Sequence, residues 1–163
     1  MKKVLLLIIS VLFAIQVNAR TQEESSTITI DSLSTKLVEL QHSYDFLYCD
    51  YSLYQIKTDL EQLSQDIQIN NNELIIKISF GQYNHDMYIT YSENYDAKCK
   101  SYDATKRKFE VVQKLVTIKI ITMGFTESEL NVFNAYIETI ESSMEVVEAG
   151  LKYCDKLLKI YKD

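Results

Sequence analysis

Ten apolar positions near the C-terminus constrain this chain more than any other feature. Leu130, Phe133, Ile137, Ile140, Met144, Val147, Leu151, Cys154, Leu158 and Tyr161 follow one another in steps of three and four. That is the a/d spacing of a heptad repeat, and it commits one long helix to burying one stripe against other helices. The chain upstream has the same character and contains no proline. It is therefore read as all-α: an elongated, antiparallel, up-down-up bundle of three helices with coiled-coil-like packing.

The N-terminus carries an address. Met1-Lys2-Lys3, the apolar run from Val4 to Ile15 and then Val17-Asn18-Ala19 have the layout of a secretory signal peptide cleaved after Ala19. The apolar run falls short of the roughly 20 residues that cross a bilayer. No cysteine follows the cleavage point to carry a lipid. The lysine pair and short run resemble bacterial export signals, so the mature chain is expected to be secreted or periplasmic, or held at the outer surface, with no membrane span. The expected organisation is a signal peptide over 1–19, a polar Ser/Thr-rich leader over 20–30 and a helical bundle over 31–163. The formal charge of −6 becomes −8 when the two lysines of the signal leave with it. A net acidic chain is a poor partner for nucleic acid or an anionic membrane surface.

The helices are placed by their stripes and caps. Asp31 or Ser32 serves as N-cap of a first helix with the stripe Leu33, Leu37, Leu40, Tyr44, Leu47 and Tyr51. The stripe then changes phase to Leu53, Ile56, Leu60, Leu63 and Ile67. Between residues 44 and 54 apolar side chains go nearly all the way round, so that segment is either covered twice or exposes an aromatic patch. A second helix spans about Asp86 to Thr122, on Tyr88, Tyr91, Tyr95, Tyr102, Phe109, Val112 and Val116. Gly124 suits a left-handed helix stop, and Thr126 with Glu129 forms a capping box that starts the third helix. Residues 66–81 are ambiguous, with continuous helix the favoured reading. Asn70 to Asn72 reads as a turn between or within helices, while Ile76, Ile78 and Phe80 alternate with polar residues as in a short β-hairpin at the bundle tip.

With the turn at Gly124 and Phe125, Glu141 is expected opposite Lys106-Arg107-Lys108, and Glu148 opposite Lys100. The basic cluster thus has an intramolecular role rather than a nucleic-acid one. Glu39-Leu40-Gln41-His42 matches the Glu-x-x-His element of di-iron bundles, but the heptad frame turns His42 to water and no second element exists. His85 is likewise read as a surface residue, and neither a metal nor another cofactor is expected. Cys49, Cys99 and Cys154 are an odd set for an exported chain, and are candidates for one disulfide and a spare thiol, or for inert core thiols. Cys154 falls ~6 Å along the axis from level with Cys99. Cys49 comes level with Cys154 if residues 70–72 turn, and with Cys99 if the tip spans 66–81.

No catalytic triad, metal set or phosphate loop stands out, so no enzyme activity is expected. The tyrosines supply the positive signal. Tyr44, Tyr48, Tyr51 and Tyr54 on the first helix, with Tyr88, Tyr91, Tyr95 and Tyr102 on the second, are placed in one half of the bundle as a candidate partner surface. The expected function is an exported, non-enzymatic interaction protein (an adaptor, an adhesin-like tip or a secretion-apparatus subunit) that binds another protein or itself. The alternative is a small-molecule or lipid carrier with a tyrosine-lined interior near Tyr91 and Tyr95.

Overall fold

The computed structural model describes residues 30–162, with side chains described for 32–160. The expected signal peptide and all but the end of the leader lie outside the described residues, as does the side chain of Tyr161. Three helices follow one another, α1 (Ile30–Ser79), α2 (His85–Met123) and α3 (Glu127–Lys162), with no strand among the described residues. The all-helical expectation holds. None of these helices is long and apolar enough to cross a membrane. The chain divides into two compact units, Met1–Glu39 and Leu40–Asp163. In the first, α1 already runs at Ile30, so Asp31 and Ser32 lie inside it rather than capping it, and Leu37 is exposed.

The second unit holds the core, and α3 is its spine. Phe133, Ile140, Val147, Leu151, Cys154 and Leu158 are buried, while Leu130, Ile137 and Met144 are half-buried. Full burial of one such side chain contributes about 1.5–3 kcal/mol, so this single stripe outweighs any helix propensity on α3. On α1 the core residues are Cys49, Leu53, Ile56, Leu60, Leu63, Ile67 and Leu74, and on α2 they are Tyr102, Phe109, Val112 and Val116.

The joints follow from local chemistry. Gly81 (φ 66°) ends α1 as a left-handed residue, with Gly81 N donating to Ile78 O and Gln82 N to Lys77 O. These are the two bonds of a Schellman stop. Asn84 then caps α2, its side chain accepting from Met87 N at 3.0 Å. Gly124 (φ 66°) ends α2, its N–H donating to Ile120 O. The Thr126 amide donates to Glu129 Oε2 at 2.8 Å, and the Glu129 amide to Thr126 Oγ1 at 3.3 Å, which closes the capping box.

The alternative of a β-hairpin at the tip does not form: residues 66–79 continue α1 as helix. The asparagines read as a turn instead face α3 from inside the helix. Asn71 Nδ2 donates to Gly150 O at 3.0 Å, and Asn70 Nδ2 approaches Cys154 Sγ at 3.8 Å. A buried side chain that finds a tertiary acceptor offsets the poor helix propensity of asparagine.

Moving the first turn to residues 80–84 resets the residues that face α1, while the α2–α3 register stays set by the turn at Gly124. Lys119 pairs with Asp45 at 2.9 Å and Lys108 with Asp59 at 3.1 Å, so partner numbers fall along α2 as they rise along α1. Between α1 and α3 they rise together, from Phe46 beside Phe133 (ring centroids 5.3 Å) to Asn71 on Gly150. Glu148, expected opposite Lys100, instead accepts from Lys106 Nζ at 3.3 Å and from the Tyr102 hydroxyl at 2.5 Å. The basic cluster therefore finds its acids on both neighbouring helices.

Candidate functional site

The face that matters is decided by which side of α1 turns inward between residues 40 and 54. The sequence stripe assigned Leu40, Tyr44, Leu47 and Tyr51 to the core. The structure buries the other side: Asp45 and Cys49 are inside, with His42 and Phe46 half-buried. Aromatic packing carries the choice. Phe46, Phe125 and Phe133 meet with centroids 5.3–6.3 Å apart, and the His42 ring stands edge-on to Phe125 at 5.1 Å. His42 Nε2 also lies 3.6 Å from Glu129 Oε2, so His42 braces the α2–α3 turn rather than facing water.

Asp45 tolerates burial because two donors reach it, Lys119 Nζ at 2.9 Å and Gln41 Nε2 at 3.1 Å. Removing one partner from such a site strands a charge, so the pair fixes the inward face of α1. Burial, and secondarily the Asp45 charge, push the neighbouring Cys49 thiol up from its ordinary value.

The opposite face is left outside. Leu40, Tyr44, Leu47, Tyr51 and Tyr54 are all exposed, Leu47 and Tyr51 at 62%. They step by four, three, four and three residues, which is itself an a/d ladder. Tyr48 stands beside it, stacked on Tyr44 with centroids 6.3 Å apart. The ladder is flanked by Gln41, Tyr48 and Gln55 on one side and by Ser43, Asp50 and Lys57 on the other. Burying large apolar side chains here requires only another helix of the same pattern.

The tyrosines of α2 have a different role. Tyr102 is buried, and burial together with its bond to Glu148 pushes the hydroxyl well above its ordinary value. Tyr88, Tyr91 and Tyr95 are half-buried and pack on Leu74, Cys154, Leu157 and Leu158. A hydrogen bond to Cys99, then burial, push Tyr95 up to about 12. The expected single aromatic half is thus two groups at opposite ends of the helices. Tyr44 to Tyr54 lie toward the α2–α3 turn, and Tyr83 to Tyr102 toward the α1–α2 turn. The cause is the first turn, which sits some ten residues later than the asparagines suggested.

Two open grooves, about 330 and 430 Å³, adjoin along α1 and α3 and share Ser64 and Val146. Their lining is mostly hydroxyl and amide side chains, with Tyr153 at one end, and neither includes Tyr91 or Tyr95. Glu39 is exposed, and His85 is exposed with its ring stacked on Tyr88. Among the described residues no three His, Cys, Asp or Glu side chains are grouped to hold a metal ion.

The cysteines separate as well. Cys49 follows Asp45 by one turn and so lies level with about Leu115 of α2, roughly 24 Å along the axis from Cys99. On α3 it is level with the turn after Phe133, about 27 Å from Cys154. Neither expected link through Cys49 is within reach of a disulfide. Comparison with protein-family profiles, with curated proteins and with solved structures returns no match for this chain.

Proposed function

We propose that this chain is an exported, non-enzymatic interaction protein: an up-down-up bundle that binds an amphipathic helix of another protein along the outer face of α1. One observation carries the reading, the exposed heptad ladder Leu40, Tyr44, Leu47, Tyr51 and Tyr54. Its spacing is the code by which helices recognise helices, and tyrosine supplies large contact area with few side-chain torsions to freeze. The up-down-up arrangement is supported by the ion pairs of α2 with α1 and by the rising numbers of the α1–α3 contacts. Export rests on the pattern of residues 1–19, and an adaptor, an adhesin-like tip or a secretion-apparatus subunit would each use such a face.

The test is a triple variant, Tyr44→Glu, Leu47→Glu and Tyr51→Glu. All three positions are exposed, so the melting temperature should move by no more than a few degrees. Partner proteins that co-purify with the mature chain from its native envelope should be lost. Retention of the same partners by the folded variant would refute the reading.

A further inference from the structure

Cys99 of α2 and Cys154 of α3 lie at nearly one level along the helices, and we propose that they are a modification site, a thiol pair that small-molecule disulfides convert to an intramolecular disulfide stapling α2 to α3. The register is set independently of the sulfurs. Tyr102 and Lys106 both reach Glu148, at 2.5 and 3.3 Å. About one and a half turns further in the same direction along both helices lie Cys99 and Cys154. Tyr95, one turn before Cys99, hydrogen-bonds the Cys99 thiol and also packs on the cluster that contains Cys154. The two thiols are close enough to influence each other electrostatically.

The surroundings divide the labour. Cys99 is half-buried and open to a small reagent, whereas Cys154 is 2% exposed and is reached only from inside the seam. Burial raises the Cys154 thiol, but Lys98 and the Asn70 amide act in the opposite direction. Cys49 is set apart by position instead: it is buried, and lies roughly 24 Å along the axis from Cys99 and about 27 Å from Cys154. The Cys99 thiolate attacks one sulfur of a small disulfide, forming a mixed disulfide and releasing one thiolate. The Cys154 thiolate, its proton passed to solvent, then attacks Cys99 Sγ and expels the second small thiolate. Two protein thiols and one small disulfide become one protein disulfide and two small thiols.

The full chain, purified reduced, is incubated folded with glutathione disulfide, quenched in acid and mapped by mass spectrometry without reduction. The expected product is about 2 Da lighter than the reduced chain, with Cys99 joined to Cys154 and Cys49 left as a thiol. Its melting temperature should rise by roughly 5–15 °C, and the rise should reverse with reductant. Cys49→Ser should give the same link and the same rise. Cys154→Ala should stop at the glutathione adduct of Cys99; because Cys154 is buried, Cys99→Ser serves as a second variant and should yield no link at all. A link through Cys49, a disulfide-joined dimer, or wild-type chain that ends as a mixed disulfide or keeps three thiols would each overturn the proposal.

Discussion

Gly150→Ala is the substitution whose sign depends most directly on how α1 and α3 meet. On an isolated helix it would stabilise by about 1 kcal/mol, because glycine is the poorer helix former. Here a Cβ at position 150 would sit 2.8 Å from Ile67 Cγ2. Ile67 is 2% exposed and β-branched, and its Cγ2 is attached directly to Cβ, so it cannot swing aside cheaply. Overpacking of this kind costs about 1–3 kcal/mol. Separating the helices instead would stretch the 3.0 Å bond from Asn71 Nδ2 to Gly150 O. The net expectation is a loss of about 1 kcal/mol, or a few degrees of melting temperature, read by circular dichroism in heat and urea. Ile67→Ala removes the obstructing methyl. In that background Gly150→Ala should become stabilising, by up to about 1 kcal/mol, a coupling of about 2 kcal/mol between the two sites. Stabilisation by Gly150→Ala in the otherwise native chain would refute the close approach of α1 and α3 at this level.

Thr126→Ala should cost about 1 kcal/mol, because the Glu129 amide loses its acceptor at the start of α3. Lys119→Met should cost about 3 kcal/mol by stranding the Asp45 carboxylate, and the double variant Asp45→Leu with Lys119→Leu should recover most of that, both by urea titration. Val147→Asp places an unpaired charge at a fully buried position and should cost several kcal/mol, enough to lose cooperative melting. The acid limb of stability should belong partly to Glu148 and Glu129. The Tyr102 and Lys106 bonds hold the Glu148 carboxyl below its ordinary 4.5. At Glu129 burial works the other way but is outweighed by the amide and hydroxyl of Thr126 and by His42. A carboxyl lower in the folded than in the unfolded chain stabilises fully above the unfolded value and loses that contribution as pH falls through the folded one. Glu148→Gln should therefore lower stability at pH 7 and flatten its decline below pH 4.5, measured as urea midpoints against pH.

The parts of the fold legible in the sequence were those written in one-dimensional codes. The α3 ladder needed only its spacing, and the α2–α3 turn only Gly124, Thr126 and Glu129. The first turn was misread because Asn70 to Asn72 carry a strong turn signal, and what overrides it is tertiary: acceptors on Gly150 and Cys154 that no local pattern shows. Gly81 and Asn84 were the readable signals, a left-handed stop and an N-cap three residues apart. The inward face of α1 was misassigned for a related reason. Hydrophobicity favours Leu40, Tyr44 and Leu47 over His42, Asp45 and Cys49, and only Lys119 on α2, with the rings of Phe125 and Phe133, reverses the choice. That reversal turns an expected core stripe into the candidate contact face. The later first turn, for its part, moves Cys49 away from the other two cysteines.

The central claim, that the outer face of α1 receives a helix, is tested most directly by photocrosslinking in the native cell. A benzophenone amino acid placed singly at positions 40, 44, 47, 51 and 54 should give one and the same partner adduct. The exposed control positions Lys100, Glu110 and Glu138 should give none. Adducts spread evenly over ladder and control positions, or confined to the controls, would contradict it.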